Sequence, residues 1–174
     1  MINKHLLAVL LLCFSSTSVA KENPSIYSVI QSRLSLCHDV ATYKIHNKIA
    51  VENKKQEEIV LSKAVKSAKQ FALRPEPVIK FTQALMESCK QIQRADFNRN
   101  QSQQIEVPPL KKIREELAKH NKRLFTLLAT QLQAPSQLTN LDYSTFSNTL
   151  STLPLNKVQK RDLFETMKKI QLEK

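Results

Sequence analysis

Arg33, Cys37 and Lys44 are separated by four and then seven residues, a spacing that puts all three on one face of a helix. That face overlaps an apolar stripe, Ile26, Val29, Ile30, Leu34, Cys37, Ala41 and Ile45, which recurs at three- and four-residue steps. A cation facing inward is costly unless it is paired or meets a ligand. The plainer alternative is snorkelling, with the aliphatic stem buried and the charge at the edge of the core. Further along, Gln93 stands one turn after Cys89 and beside Ile92, so its amide can point inward while Ile92 packs. A buried amide has to be satisfied by another side chain or by a ligand. Arg114 follows Ile113 at the margin of another stripe, with Asn121 seven residues on. The cationic and amide side chains among these can bind an anion.

Other chemistries find little support. His38, His46 and His120 have no spacing that argues for metal ligation or a relay, and a surface role is expected for each. No serine has a recognisable base partner, which leaves covalent catalysis unsupported. Cys37 and Cys89 have no nearby histidine pair, so neither they nor any other set predicts a metal site. No repeat, zinc pattern, phosphate-cradling loop or nucleotide fingerprint is present, and no cofactor is expected.

The elements that must carry these residues are helical. Glycine and tryptophan are absent, while Lys, Gln, Glu, Leu and Ala dominate. With no glycine, turn and helix-ending roles are expected to pass to Pro, Asn and Ser. The pattern predicts a first helix from Pro24-Ser25 to about Asn47 or Ile49. A second runs from Lys54 to Phe71, with Glu58, Leu61, Val65, Ala68 and Ala72 as its stripe. After Arg74-Pro75-Glu76 a third helix takes Glu76 to about Arg99, with Val78, Phe81, Leu85, Ser88, Ile92 and Ala95 inward. The polar stretch from Asn98 to Pro109 reads as a loop, and a fourth helix spans Leu110 to about Leu132. Two shorter helices, Asn140 to Leu150 and Asn156 to Leu172, follow, the second with Val158, Leu163, Met167 and Ile170 packing inward. The fold class is all-α, a bundle of about six helices.

Residues 1–20 have the form of a cleavable signal peptide. Lys4 gives a positive start, Leu6 to Phe14 is apolar, and Ser18-Val19-Ala20 supplies small residues for cleavage. The apolar run is too short to span a bilayer, so no membrane anchor is expected after cleavage. Residues 21–174 would then form one domain in the periplasm or outside the cell, a setting in which a disulfide persists. Loss of Lys4 takes the formal charge from +12 to +11. A surplus of this size admits a phosphate backbone, an acidic membrane surface or a small carboxylate as partner. The cations are mostly Lys interleaved with Glu, without an Arg-rich tail or basic-aromatic repeat, which argues against nucleic acid.

Several segments, in order, resemble the secreted, all-helical chorismate mutases, the gamma subclass of the AroQ type. They are Arg33-Leu34, Val40-Ala41-Thr42-Tyr43-Lys44, Glu57-Glu58-Ile59-Val60-Leu61, Ala72-Leu73-Arg74-Pro75, Lys90-Gln91-Ile92-Gln93 and Pro109-Leu110-Lys111-Lys112-Ile113-Arg114. The resemblance implies the chorismate mutase type II fold and a cofactor-free rearrangement of the dicarboxylate chorismate to prephenate. It makes Arg33 and Arg114 binders of the substrate carboxylates. Lys44 is matched to the lysine that contacts a carboxylate and the ether oxygen whose bond breaks. Gln93 is matched to the residue that hydrogen-bonds the same oxygen, and Glu58 and Cys89 to pocket-lining positions. Known members are often dimers, so a homodimer is admissible.

One position departs from the family pattern. Twelve residues after Lys44, where the family has arginine, this chain has Gln56, and the usual acidic residue three earlier is Asn53. If Arg33 and Gln93 line one pocket, Cys37 and Cys89, each one turn away, approach each other. A Cys37–Cys89 disulfide is expected on that basis, against two separately buried thiols. Two rival functions stand beside the enzyme: a noncatalytic exported binding protein of the same fold, and a basic helical protein that meets anionic envelope surfaces.

Overall fold

The computed structural model describes residues 25–99, 106, 108–133 and 141–174. The expected signal segment 1–20, and most of the expected loop from Asn98 to Pro109, lie outside the described residues. Six α-helices follow one another: α1 Ile26–His46, α2 Lys54–Gln70, α3 Pro75–Asn98, α4 Leu110–Gln133, α5 Tyr143–Thr149 and α6 Lys157–Lys168. Four of them start where a polar side chain takes up an orphan backbone N–H. Ser25 accepts from Ser28, Asn53 from Gln56 and Asp142 from Thr145, while Asn156 and Gln159 form a reciprocal capping box. α3 begins instead on Pro75, whose fixed φ suits a first helical position.

α1 packs on both α3 and α4, α2 lies along α3 and touches α4, and α6 covers a further part of α3. α5 bridges α6 and α1. Ile30 and Leu34 of α1, Phe81, Leu85 and Ile92 of α3, Leu124 and Leu128 of α4, Phe146 of α5 and Leu163 of α6 are all buried in one core. Each such side chain contributes about 1.5–3 kcal/mol relative to exposure. Tyr27, Phe146 and Phe164 join the short helices to α1 through ring contacts of 5.3 Å. No described helix is long and apolar enough to cross a membrane.

The expected stripes need correction at two helices. On α2, Ala64 and Ala68 are buried but Glu58 and Ala72 are exposed. At 3.6 residues per turn, Glu58, six positions before Ala64, is turned roughly 120° off the buried row. Val158 is 75% exposed, because it precedes Leu163 by five residues and so faces away from it.

The helix ends also differ from expectation. Lys48 (φ 53°) and Ala72 (φ 51°) occupy the left-handed region that glycine would normally fill. Ile49 N–H donates to Lys44 O at 2.8 Å and Lys48 N–H to Ile45 O at 3.2 Å. Leu73 N–H donates to Ala68 O at 2.8 Å and Ala72 N–H to Lys69 O at 3.3 Å. Both ends are therefore Schellman motifs built without glycine, with Leu73 buried beneath the second. Leu172 forms an antiparallel bridge with Leu73, and Arg74 N–H donates to Gln171 O at 2.9 Å, which ties residues 171–173 to the α2–α3 corner.

Candidate active site

Residues of α1, α2, α3 and α4 line a cavity of about 690 Å³, within the range of small-molecule sites. Arg33 and Lys44 reach it from α1, Cys89 and Gln93 from α3, and Arg114 from α4. Glu58 does not; it is exposed on the outer side of α2, and Glu57 lines the cavity in its place, beside Gln56. Seven Lys or Arg and two Glu stand on the wall, so the cavity favours an anion.

Arg33 is 4% exposed and has no carboxylate partner among the described residues. Its Nε donates to Asn121 Oδ1 at 2.6 Å, and its Nη1 is buried without a partner. Burial alone pushes its pKa down to about 10. An uncompensated buried donor costs about 1–3 kcal/mol, more for a charged group, and a ligand carboxylate is the group that removes the deficit.

Lys44 sits in the last turn of α1, where its backbone carbonyl accepts from Ile49. Its Nζ donates to Val51 O at 2.6 Å, which fixes the loop between α1 and α2 against the cavity. Burial lowers its pKa, the charge of Arg114 lowers it further, and Glu52 and Glu57 oppose both effects. Two cations are thus held close enough to repel, an arrangement that an anion between them relieves.

Gln93 is 4% exposed. Its Nε2 donates back to Cys89 O at 3.3 Å and contacts Cys89 Sγ at 3.5 Å, while Oε1 is buried without a partner. Cys89 is joined to Cys37 by a disulfide, with S–S 2.06 Å and Cα–Cα 5.4 Å. This bond links α1 to α3 one turn from Arg33 on one side and one turn from Gln93 on the other.

The sequence reading passed over Lys90 as a site residue. Met86, Cys89, Lys90 and Gln93 all line the cavity, and their i, i+3, i+4, i+7 spacing was the signal that could have found it. Asn121 was noted only by position; its role as the partner of Arg33 needed the α1–α4 packing. Among the histidines, His38 is not a free surface group, since its Nδ1 lies 2.6 Å from Oδ2 of the buried Asp96. His46 is exposed, and burial lowers the pKa of the half-buried His120. Among the described residues no group of three His, Cys, Asp or Glu is placed to hold a metal ion.

The family model described as chorismate mutase type II matches residues 18–94. The chain is 27% identical over 150 residues to a monofunctional chorismate mutase of Enterobacter agglomerans, covering 84% of this chain and 82% of that one. It is 26% identical over 148 residues to the secreted chorismate mutase of Yersinia pestis, covering 83% and 80% respectively. The crystal structure of the secreted chorismate mutase from Yersinia pestis is similar at a TM-score of 0.79 and 26% identity, over 84% of this chain and 97% of that one. A chorismate mutase structure from Burkholderia thailandensis shares the fold at 20% identity and a TM-score of 0.59, over 82% and 94%. The chain therefore has the all-α, six-helix fold of the type II chorismate mutases.

Proposed function

We propose that this chain is an exported isomerase that rearranges chorismate to prephenate inside the four-helix cavity, without a cofactor. The observation that carries the proposal is the convergence of Arg33, Lys44, Gln93 and Arg114 on one cavity, with Nη1 of Arg33 and Oε1 of Gln93 left unpartnered among the described residues. The similarity to named chorismate mutases over most of the chain supports it.

The reaction needs no nucleophile and no net proton transfer. A carbon–oxygen ether bond breaks while a carbon–carbon bond forms in the same molecule. The protein has only to hold the chair-like conformer and stabilise partial negative charge on the ether oxygen. Arg33 and Arg114 offer planar forks to the two carboxylates. Lys44 and the amide nitrogen of Gln93 donate to the ether oxygen, and neither gives up a proton. Export is supported by the form of residues 1–20 and by the Cys37–Cys89 disulfide, which would not persist in a reducing cytosol.

Purified protein mixed with chorismate should consume it and release prephenate. No rate above the uncatalysed reaction refutes the proposal, and failure to bind a dicarboxylate transition-state mimic as well excludes a noncatalytic binding role for the same cavity. One observation favours a second reading, binding without turnover: Gln56 is a neutral side chain on the cavity wall where the resemblance calls for arginine. Under that reading the mimic binds and Gln56→Arg creates activity that the unaltered protein lacks.

A further inference from the structure

We infer that Lys90 is a substrate-binding residue, presenting to a ligand carboxylate the cation that Gln56 does not supply. The inference rests on the dicarboxylate reading of the cavity. Lys90 stands on the cavity face of α3 between Met86 and Gln93, with its side chain only 13% exposed. Its Nζ lies 3.3 Å from Glu57 Oε2. Glu57 immediately follows Gln56 in the first turn of α2, so this ion pair holds the Lys90 ammonium close to the stretch of wall where Gln56 is neutral.

Two alternatives are weaker. A solvent-facing lysine would not be buried to this degree, and a purely structural ion pair would not need a place on the cavity wall. An ammonium has three donors, and Glu57 and Glu87 take up two of them, leaving one. Glu87 is 62% exposed and does not line the cavity, so Glu57 is the partner carboxylate that stands with Lys90 on the cavity wall. Within the cavity the charge of Lys90 reaches Lys44, whose proton affinity it helps to lower. Burial disfavours the Lys90 ammonium, but its bonds to Glu87 and Glu57 outweigh this and hold it charged. Glu57 thus works as an aiming group: it draws the lysine to the cavity wall and, with Glu87, keeps it protonated.

The test compares the unaltered protein, Lys90→Gln and the exposed control Lys80→Met. Chorismate turnover and the calorimetric Kd of a dicarboxylate transition-state mimic are both read. Lys90→Gln should raise KM and Kd at least fivefold with a smaller change in kcat, whereas Lys80→Met leaves all three unchanged. Adding Gln56→Arg to Lys90→Gln should recover most of the lost affinity, which a merely structural loss would not allow. If Lys90→Gln fails to fold because Glu57 is stranded, the neutral pair Glu57→Gln/Lys90→Gln takes its place and must show the same rise. A rise below fivefold in the folded variant overturns the Lys90 role and leaves the isomerase reading untouched. An unaltered protein that binds the mimic but has no turnover overturns only the isomerase reading, and the Kd ratio still decides Lys90. If it binds nothing, both are overturned.

Discussion

Arg33 Nε lies 2.6 Å from Asn121 Oδ1, a bond from α1 to α4 that fixes the plane of a guanidinium with no acidic partner among the described residues. Removing the amide leaves the cation in place but free to turn. Asn121→Ala should therefore weaken substrate binding by about 10- to 150-fold, the equivalent of one buried, charge-assisted hydrogen bond. Arg33→Lys, which keeps the charge and loses the fork, should do more damage than Asn121→Ala. Steady-state kinetics on both variants check the order, and a reversal would show that charge alone suffices at this position.

The alkaline limb of kcat/KM should fall before an ordinary lysine titrates. Lys44 has its pKa lowered from 10.5 by burial and by Arg114, and Arg33 is brought down to about 10. Both must be charged to hold an anion, so activity is complete below these folded-state values and is lost as pH rises through them. Stability runs the other way. The unfolded chain binds more protons between the lowered and ordinary values, so the burial penalty on these cations is relieved as pH rises through that window. A kcat/KM profile that stays flat to pH 10.5 would count against this assignment.

Reduction of the Cys37–Cys89 bond, or its replacement by a serine pair, should cost about 2–4 kcal/mol of unfolding free energy. Gln93 should feel the change directly, since its amide rests on Cys89. The expected kinetic signature is a lower kcat accompanying the lost stability. Denaturant titration with and without reductant gives the first quantity and single-turnover kinetics the second.

Lys48→Gly and Ala72→Gly should each stabilise the fold by about 0.5–1 kcal/mol. The relief of a left-handed residue bearing a Cβ, about 1–2 kcal/mol, exceeds the extra chain entropy of glycine. Thermal melts of the single and double variants check both size and additivity. A loss of stability would mean that the side chains of Lys48 and Ala72 contribute more than their backbone geometry costs.

How much was legible depended on the range of the cause. Helix positions followed from three- and four-residue periodicity and from caps such as Ser25 and Asn156, which are local. Arg33, Lys44, Gln93 and Arg114 were legible as polar groups on inward faces, and the family resemblance supplied their common purpose. Glu58 was misplaced because a shift of one residue on a helix is a turn of about 100°, and a stripe as weak as that of α2 fixes its phase poorly. Lys48 and Ala72 could not be foreseen, since nothing in either residue type favours the left-handed region; the pull comes from the carbonyls of the preceding turn and from burial of Leu73. The place of Lys90 was open to reading from its spacing with Met86, Cys89 and Gln93, but its pairing with Glu57, like that of Asn121 with Arg33, depended on contacts between helices far apart in sequence.

The bond between Cys37 and Cys89 closes a covalent ring that contains all of α2 and the loops on either side of it, with Arg33 and Gln93 anchored four residues outside. A protease that cuts once anywhere in that ring, for example in the loop held by Lys44, produces a nicked chain and not two separable fragments. Both halves of the cavity wall stay tethered at the turn where α1 meets α3. In surroundings rich in peptidases, damage to the loop and loss of the site would then be separate events.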